Sequence, residues 1–514
     1  MTPRGYSASL NSTAGTIATY AKKMGLQGRP NLDISLDDHT DGKVYTSFDA
    51  LSGKVNITAP HSARFDEIQI TLEGTVRTYV ENLSPTSTTS RTTAIHRFLK
   101  LTMPIAESDY PQPRIAEAGR TYTYPFNFVI PDQLLPRSCS HECASDHVHE
   151  AHLQLPPSMG DRELSAFDDL APEMSKVQYA IRVKIIRHRE SDGKEVVLVE
   201  GQRKLHIVPA ITEAPPLNVS AEEDEYVLSK TKTLRKGMFS GKLGKITASA
   251  EQPRAFVLPS PSSTDPTPAT SMATVHLRFD PRDSSSQPPR LGGLNTKIKA
   301  STFYGARPTA PIPTHRNALS QFETQRGVYD LSVSLSSRSV ESVSWTVHRP
   351  SPAYTRRDSA SSSSSSDCSD SDHTTESIDG AVYYTASILV PVTLPSNKTW
   401  VPTFHNCITS RVYSLDLSLT IHTPGTGVPA STVTLHLPIQ IAATGNQSQR
   451  PAMTAAEATA ELAEVDEYFR PRVIEVPSEN LIGNSVLPHH SELPPSYEDF
   501  SPAQPQQTVD PSRC

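Results

Sequence analysis

The 514-residue sequence has no run of apolar residues approaching the roughly 18 that a membrane-spanning helix needs. From Met1 to Pro30 it is polar, without the apolar stretch of a secretory leader. Its 5 cysteines are too few to staple a chain of this length, so they are expected as thiols in a reducing cytosol. Triplets such as Asn56-Ile57-Thr58 then carry no weight as glycan acceptors. Helical periodicity is nearly missing. There is no Ser/His/Asp order, glycine-rich phosphate loop or HExxH pattern, so no catalytic site is expected. A net charge of −7 gives no basis for bulk nucleic-acid binding.

What is abundant is proline, 44 residues where the usual ~5 % would give about 26. Hydrophobic content is only 36 %. Packed domains therefore share the chain with much unstructured sequence. The charge is also unevenly placed: from residue 445 onward, 11 acidic groups face 4 arginines, which leaves the preceding body neutral.

That body alternates apolar and polar residues with the period of a half-buried strand. Ile68, Ile70, Leu72 and Val76 form one set, Tyr122, Tyr124, Phe126, Phe128 and Ile130 a second, and Val177, Tyr179, Ile181, Val183 and Ile185 a third. Asp192-Gly193, ahead of Val196 to Val199, predicts a hairpin with a two-residue type I′ turn. Val275, Leu277 and Phe279, then Leu331, Val333 and Leu335, then Tyr413 through Ile421, and Val433 through Ile441 repeat the pattern. Many alternating strands without intervening helices predict an all-β chain of two tandem antiparallel β-sandwiches.

The expected organisation is a disordered extension at residues 1–31, sandwiches at 32–210 and 226–444, and a proline-containing linker at 211–225. An acidic tail follows at 445–514. Leu83 to Thr93, Pro259 to Thr270 and a serine-rich insertion at 350–380 are expected as mobile loops, because they bury too little apolar surface to offset chain entropy. Thr454 with Glu457, ahead of Leu462, Val465 and Phe469, predicts a short helix at 454–470 in an otherwise disordered tail.

These strands carry a family resemblance. Tyr45 to Gly53 followed by Ile68 to Gly74 resembles the opening of an arrestin N-terminal domain, and Tyr122 to Pro131 its middle. Leu153 to Asp161 and Asp169 to Lys176 are similar to fungal members of the α-arrestin group. Ser337 to Trp345 with Ser410 to Leu415 resembles their C-terminal domain. The resemblance spans Leu32 to Ile441. It implies an arrestin-like fold and a non-catalytic trafficking adaptor that links membrane cargo, transporters or receptors, to a WW-domain HECT ubiquitin ligase. It implies recruitment from the cytoplasm to the plasma membrane or endosomes, and supplies no catalytic residue to carry over.

Leu493-Pro494-Pro495-Ser496-Tyr497 is a PPxY sequence. Pro494 and Pro495 pre-set a polyproline II ribbon for the aromatic groove of a WW domain, and Tyr497 offers a ring for a second pocket. The basic stretch Lys230, Lys232, Arg235, Lys236, Lys242 and Lys245 is a candidate contact for anionic lipid or cargo. The plainer reading is a solvated strand edge, and a set of ubiquitin acceptors is a further alternative. Ser361, Ser362, Ser363, Ser364, Ser365, Ser366, Ser369 and Ser371 are candidate phosphorylation sites, or simply a flexible insertion. Cys139, His141, Cys143, His147, His149 and His152 gather donors of the zinc type. The alternation Cys139-x-His141-x-Cys143 is tighter than the usual C-x₂₋₄-C loop, however, and no second pair stands at finger spacing. They are read as loop and strand-entry residues, with no metal and no cofactor expected. The rival functions are a ligase-independent endosomal sorting scaffold and, more remotely, a metal-dependent hydrolase built on that cluster.

Overall fold

Alternation builds the strands, because each apolar face needs a partner sheet to cover it. The computed structural model describes residues 30–81, 91–219, 225–237, 241–263, 267–318, 325–349, 382–423 and 429–446. The expected helix at 454–470 and the insertion at 350–380 lie outside them.

In the first sandwich, a three-stranded sheet places Ala50–Thr58 between Asn31–Leu36 and Thr121–Val129. It faces a five-stranded sheet in the order Val44–Tyr45, Glu195–Ile207, Ser175–His188, Glu67–Glu81, Arg91–Met103. Ile70, Leu72, Val76, Val177, Ile181 and Val183 meet Val55, Phe126 and Phe128 in one apolar core.

The second sandwich stacks two five-stranded sheets. One runs Ser229–Arg235, Lys242–Ala250, Thr270–Pro281, Tyr383–Thr393, Thr346–His348. The other runs Arg326–Ser339, Arg290–Gly305, Thr409–His422, Phe404–His405, with Ser431–Ile439 also paired to Thr409–His422. The core holds Ile246, Val275, Leu277, Phe279, Ile298, Leu415, Leu417 and Leu435. Leu331, Val333 and Leu335 are only half-buried. Their strand, Arg326–Ser339, ends its sheet's order.

Several expectations need correction. The first strand begins at Asn31, inside the expected N-terminal extension. Arg91 to Thr93, expected in a loop, open the strand Arg91–Met103. Ile211, expected to open the linker, instead pairs with Ala443 through two backbone hydrogen bonds of 2.9 and 3.0 Å. The Asp192-Gly193 hairpin forms, but not with a two-residue turn: the Arg189 N–H donates to the Lys194 carbonyl and the Gly193 N–H to the Arg189 carbonyl. Only Gly193 has positive φ, +65°, so the link is a four-residue loop closed by a glycine in the left-handed region. A helix not foreseen, Asp146–Leu153, carries three of the clustered histidines.

Candidate functional site

Pro494, Pro495 and Tyr497, and the serines from Ser361 to Ser371, lie outside the described residues. The basic stretch is described, and the fold divides it. It forms an antiparallel hairpin in which Lys232 stands opposite Ile246 and Arg235 opposite Lys242. Lys232 is half-buried and donates to the Thr432 carbonyl at 3.1 Å. Lys236 pairs with Asp283 at 2.7 Å. Lys230, Arg235, Lys242 and Lys245 are exposed. Lys230 and Arg235 belong to Ser229–Arg235, which ends its sheet's order, and Lys242 and Lys245 to the strand paired with it.

The larger concentration of chemistry is the seam between the sandwiches. Hydroxyls bridge it: Ser175 Oγ and Thr409 Oγ1 are 2.7 Å apart, and Thr78 Oγ1 donates to the Gly305 carbonyl at 2.6 Å. Lys398 pairs with Asp168 at 2.9 Å. Arg411, from the second sandwich, is fully buried. Its Nη1 donates to the Asp169 carbonyl at 3.2 Å and to the Tyr413 hydroxyl at 3.4 Å, and its Nη2 lies 3.4 Å from Met159 Sδ. Nε has no hydrogen-bond partner among the described residues. The Asp169 carboxylate is occupied by the N–H groups of Gly160 and Ala171. This side chain is a charge taken out of water at considerable cost, and its contacts with Asp169 and Met159 tie the second sandwich to the first.

Further along the seam, the stretch between strands Thr121–Val129 and Ser175–His188 brings sulfur and imidazole together. Cys139 Sγ lies 3.4 Å from His141 Nε2, 3.7 Å from Cys143 Sγ and 3.6 Å from His152 Nδ1. Cys143 Sγ is 3.7 Å from His152 Nδ1. Cys407, from the second sandwich, completes a set with Cys139, His141 and His152 whose donor atoms all lie within 4.8 Å of one another. Cys143 and His149 form a second group with Cys139. His147 belongs to neither group and is exposed. Burial, followed by the neighbouring histidines, holds His152 down to about 4, so its imidazole is neutral. Burial and then Cys139 push the Cys143 thiol up to about 11, and burial likewise raises Cys407.

Over residues 32–200, which span both sheets of the first sandwich, the chain matches the family described as Arrestin (or S-antigen), N-terminal domain. The fold is arrestin-like. No curated protein matches the chain. The match supports an adaptor role of the arrestin kind in general. Two features of this fold carry no signal in the sequence. One is Cys407, which sequence distance hides from the other donors. The second is a cavity of about 630 Å³ in the first sandwich, walled by Ile57, Phe65, Ile68, Tyr122, Tyr124 and Val197. Burial pushes the Tyr124 phenol up to about 12, and its hydroxyl has no partner among the described residues.

Proposed function

We propose that the protein is a non-catalytic trafficking adaptor. Its sandwiches hold membrane cargo, a transporter or receptor, while Pro494, Pro495 and Tyr497 recruit a WW-domain HECT ubiquitin ligase, which leads to cargo ubiquitination and endocytosis. The observation that carries this reading is the pairing in one chain of an arrestin N-terminal domain match with a PPxY sequence. The mechanism is effective concentration: one chain engaging both partners raises the ligase beside cargo lysines to roughly millimolar when the connecting segment spans the gap. Lys230, Arg235, Lys242 and Lys245 suit this role, since exposed cations gain about 1 kcal/mol each near anionic lipid. The adaptor works from the cytoplasm, recruited peripherally to the plasma membrane or endosomes.

Titration of the full-length chain with isolated WW domains tests it. Saturable binding that Tyr497→Ala weakens at least about tenfold supports the reading, since that equals the ~1.4 kcal/mol loss of one well-seated ring contact. Equal binding by both proteins overturns it. Cargo ubiquitination and uptake that persist unchanged in Pro495→Ala/Tyr497→Ala would instead favour a ligase-independent sorting scaffold.

A further inference from the structure

We propose that Cys139, His141, His152 and Cys407 bind a structural zinc ion that fastens the two sandwiches together. Zinc bonds of about 2.3 Å to sulfur and about 2.0–2.1 Å to nitrogen, set tetrahedrally, put sulfur and nitrogen donors about 3.6 Å apart. The distances from Cys139 Sγ to His141 Nε2 and His152 Nδ1, 3.4 and 3.6 Å, match those edges before any metal is considered. The fourth donor, Cys407 Sγ, falls within the same 4.8 Å limit.

The side chains are also prepared for a cation. His141 Nδ1 donates to the Glu142 carbonyl at 2.9 Å, which leaves the Nε2 lone pair directed at the cluster. His152 is 1 % exposed, and its Nε2 has no partner among the described residues. Its ring therefore has only the donor cluster to offset the cost of burial. Cys139 and Cys407 are buried as well. Two thiolates, two neutral imidazoles and Zn²⁺ sum to zero charge, the state that a dry seam tolerates best. Cys143, only half-buried, stands outside the four donors that all lie within 4.8 Å of one another, so it is assigned as a neighbour and not a ligand.

Mixed sulfur and nitrogen donors select zinc over magnesium or calcium. Four protein ligands leave no open position for water, so the site is a staple and does not supply a hydrolase. Its position is the consequential part. Three ligands belong to the first sandwich, and Cys407 sits in the turn between Phe404–His405 and Thr409–His422 of the second. The inference does not depend on the adaptor reading.

The test is metal analysis of the full-length chain purified without chelator. One zinc per chain is expected, retained in His147→Ala and Cys143→Ser and lost in Cys139→Ser and Cys407→Ser. Because the last two variants could fail to fold, the wild-type chain is also read directly. Cobalt loading should give the intense visible bands and sulfur charge transfer of a tetrahedral site, and a chelator should lower Tm. Wild-type protein that neither contains nor takes up either metal overturns the proposal. So does a disulfide joining Cys139 to Cys407 in protein purified under reducing conditions. Zinc kept by a folded Cys407→Ser but lost by Cys143→Ser overturns the fastening of one sandwich to the other.

Discussion

The two sandwiches exchange side chains unequally. The core of the first includes Val401, Phe404, Cys407 and Ile408, all contributed by the second half of the chain. The core of the second accepts Leu170 from the first. The difference has a structural origin: the first sandwich pairs a three-stranded sheet with a five-stranded one, and the segment around Phe404 packs into its core. The second already has two broad sheets. The first sandwich therefore depends on the second more than the reverse, although the chain runs in the opposite order.

This asymmetry can be broken by substitution. Phe404→Ala is expected to have the largest effect, about 3–5 kcal/mol, since it empties a fully buried position in the first core. Calorimetry should show a single transition moving downward. Two separated transitions, with only the second sandwich shifted, would refute the dependence. Leu170→Ala should cost less, about 2–4 kcal/mol measured by denaturant midpoint. It deletes a side chain that is 2 % exposed, but Leu170 already holds a left-handed φ of +61°, which alanine tolerates no worse. An effect exceeding that of Phe404→Ala would reverse the comparison. Gly74→Ala probes the first core from its own side. An added Cβ would overlap the Phe98 ring and crowd Tyr179, so about 1–3 kcal/mol of overpacking is expected in urea melts.

The smallest effect is a pH dependence in the second half. His315 Nδ1 pairs with Glu225 at 2.7 Å and Nε2 with Asp330 at 2.9 Å. The Glu225 hydrogen bond raises its pKa above 6.5, burial opposes the rise, and Asp330 adds to it. The pairing therefore contributes fully below pH 6.5 and is lost as pH climbs through the raised folded value. Tm of the wild type minus that of His315→Gln should shrink across that window. A difference that grows with pH would show the imidazole to be neutral when folded.

The strands were legible because their environment is two-sided. Ile68, Ile70, Leu72 and Val76, and again the apolar residues from Tyr413 to Ile421, face an apolar core while the residues between them are mostly polar, so alternation reports the fold directly. The hairpin after His188 was legible in kind but not in length. Glycine announces a left-handed residue without saying how many residues precede it. The helix Asp146–Leu153 escaped because it is a short, polar segment that buries only Val148, Ala151, His152 and Leu153. The Cys139 cluster looked like a loop for a related reason. Its fourth donor comes from the other half of the chain, so local spacing could never complete it. Arg411 gave no sign either, since a charged residue within a strand reads as solvent-facing until the partner surface is known.

The short parallel pairing of Phe256–Leu258 with Ile441–Ala443 has a mechanical consequence. Just past it, Thr444 is tied to Leu258 of the second sandwich, while Asn446 Nδ2 reaches Asp49 of the first at 2.8 Å. The last described residues thus form a knot belonging to both halves. A pull exerted by whatever grips the following residues is shared between the two and arrives where they meet, as tension on a rope lashed to a mast at its step.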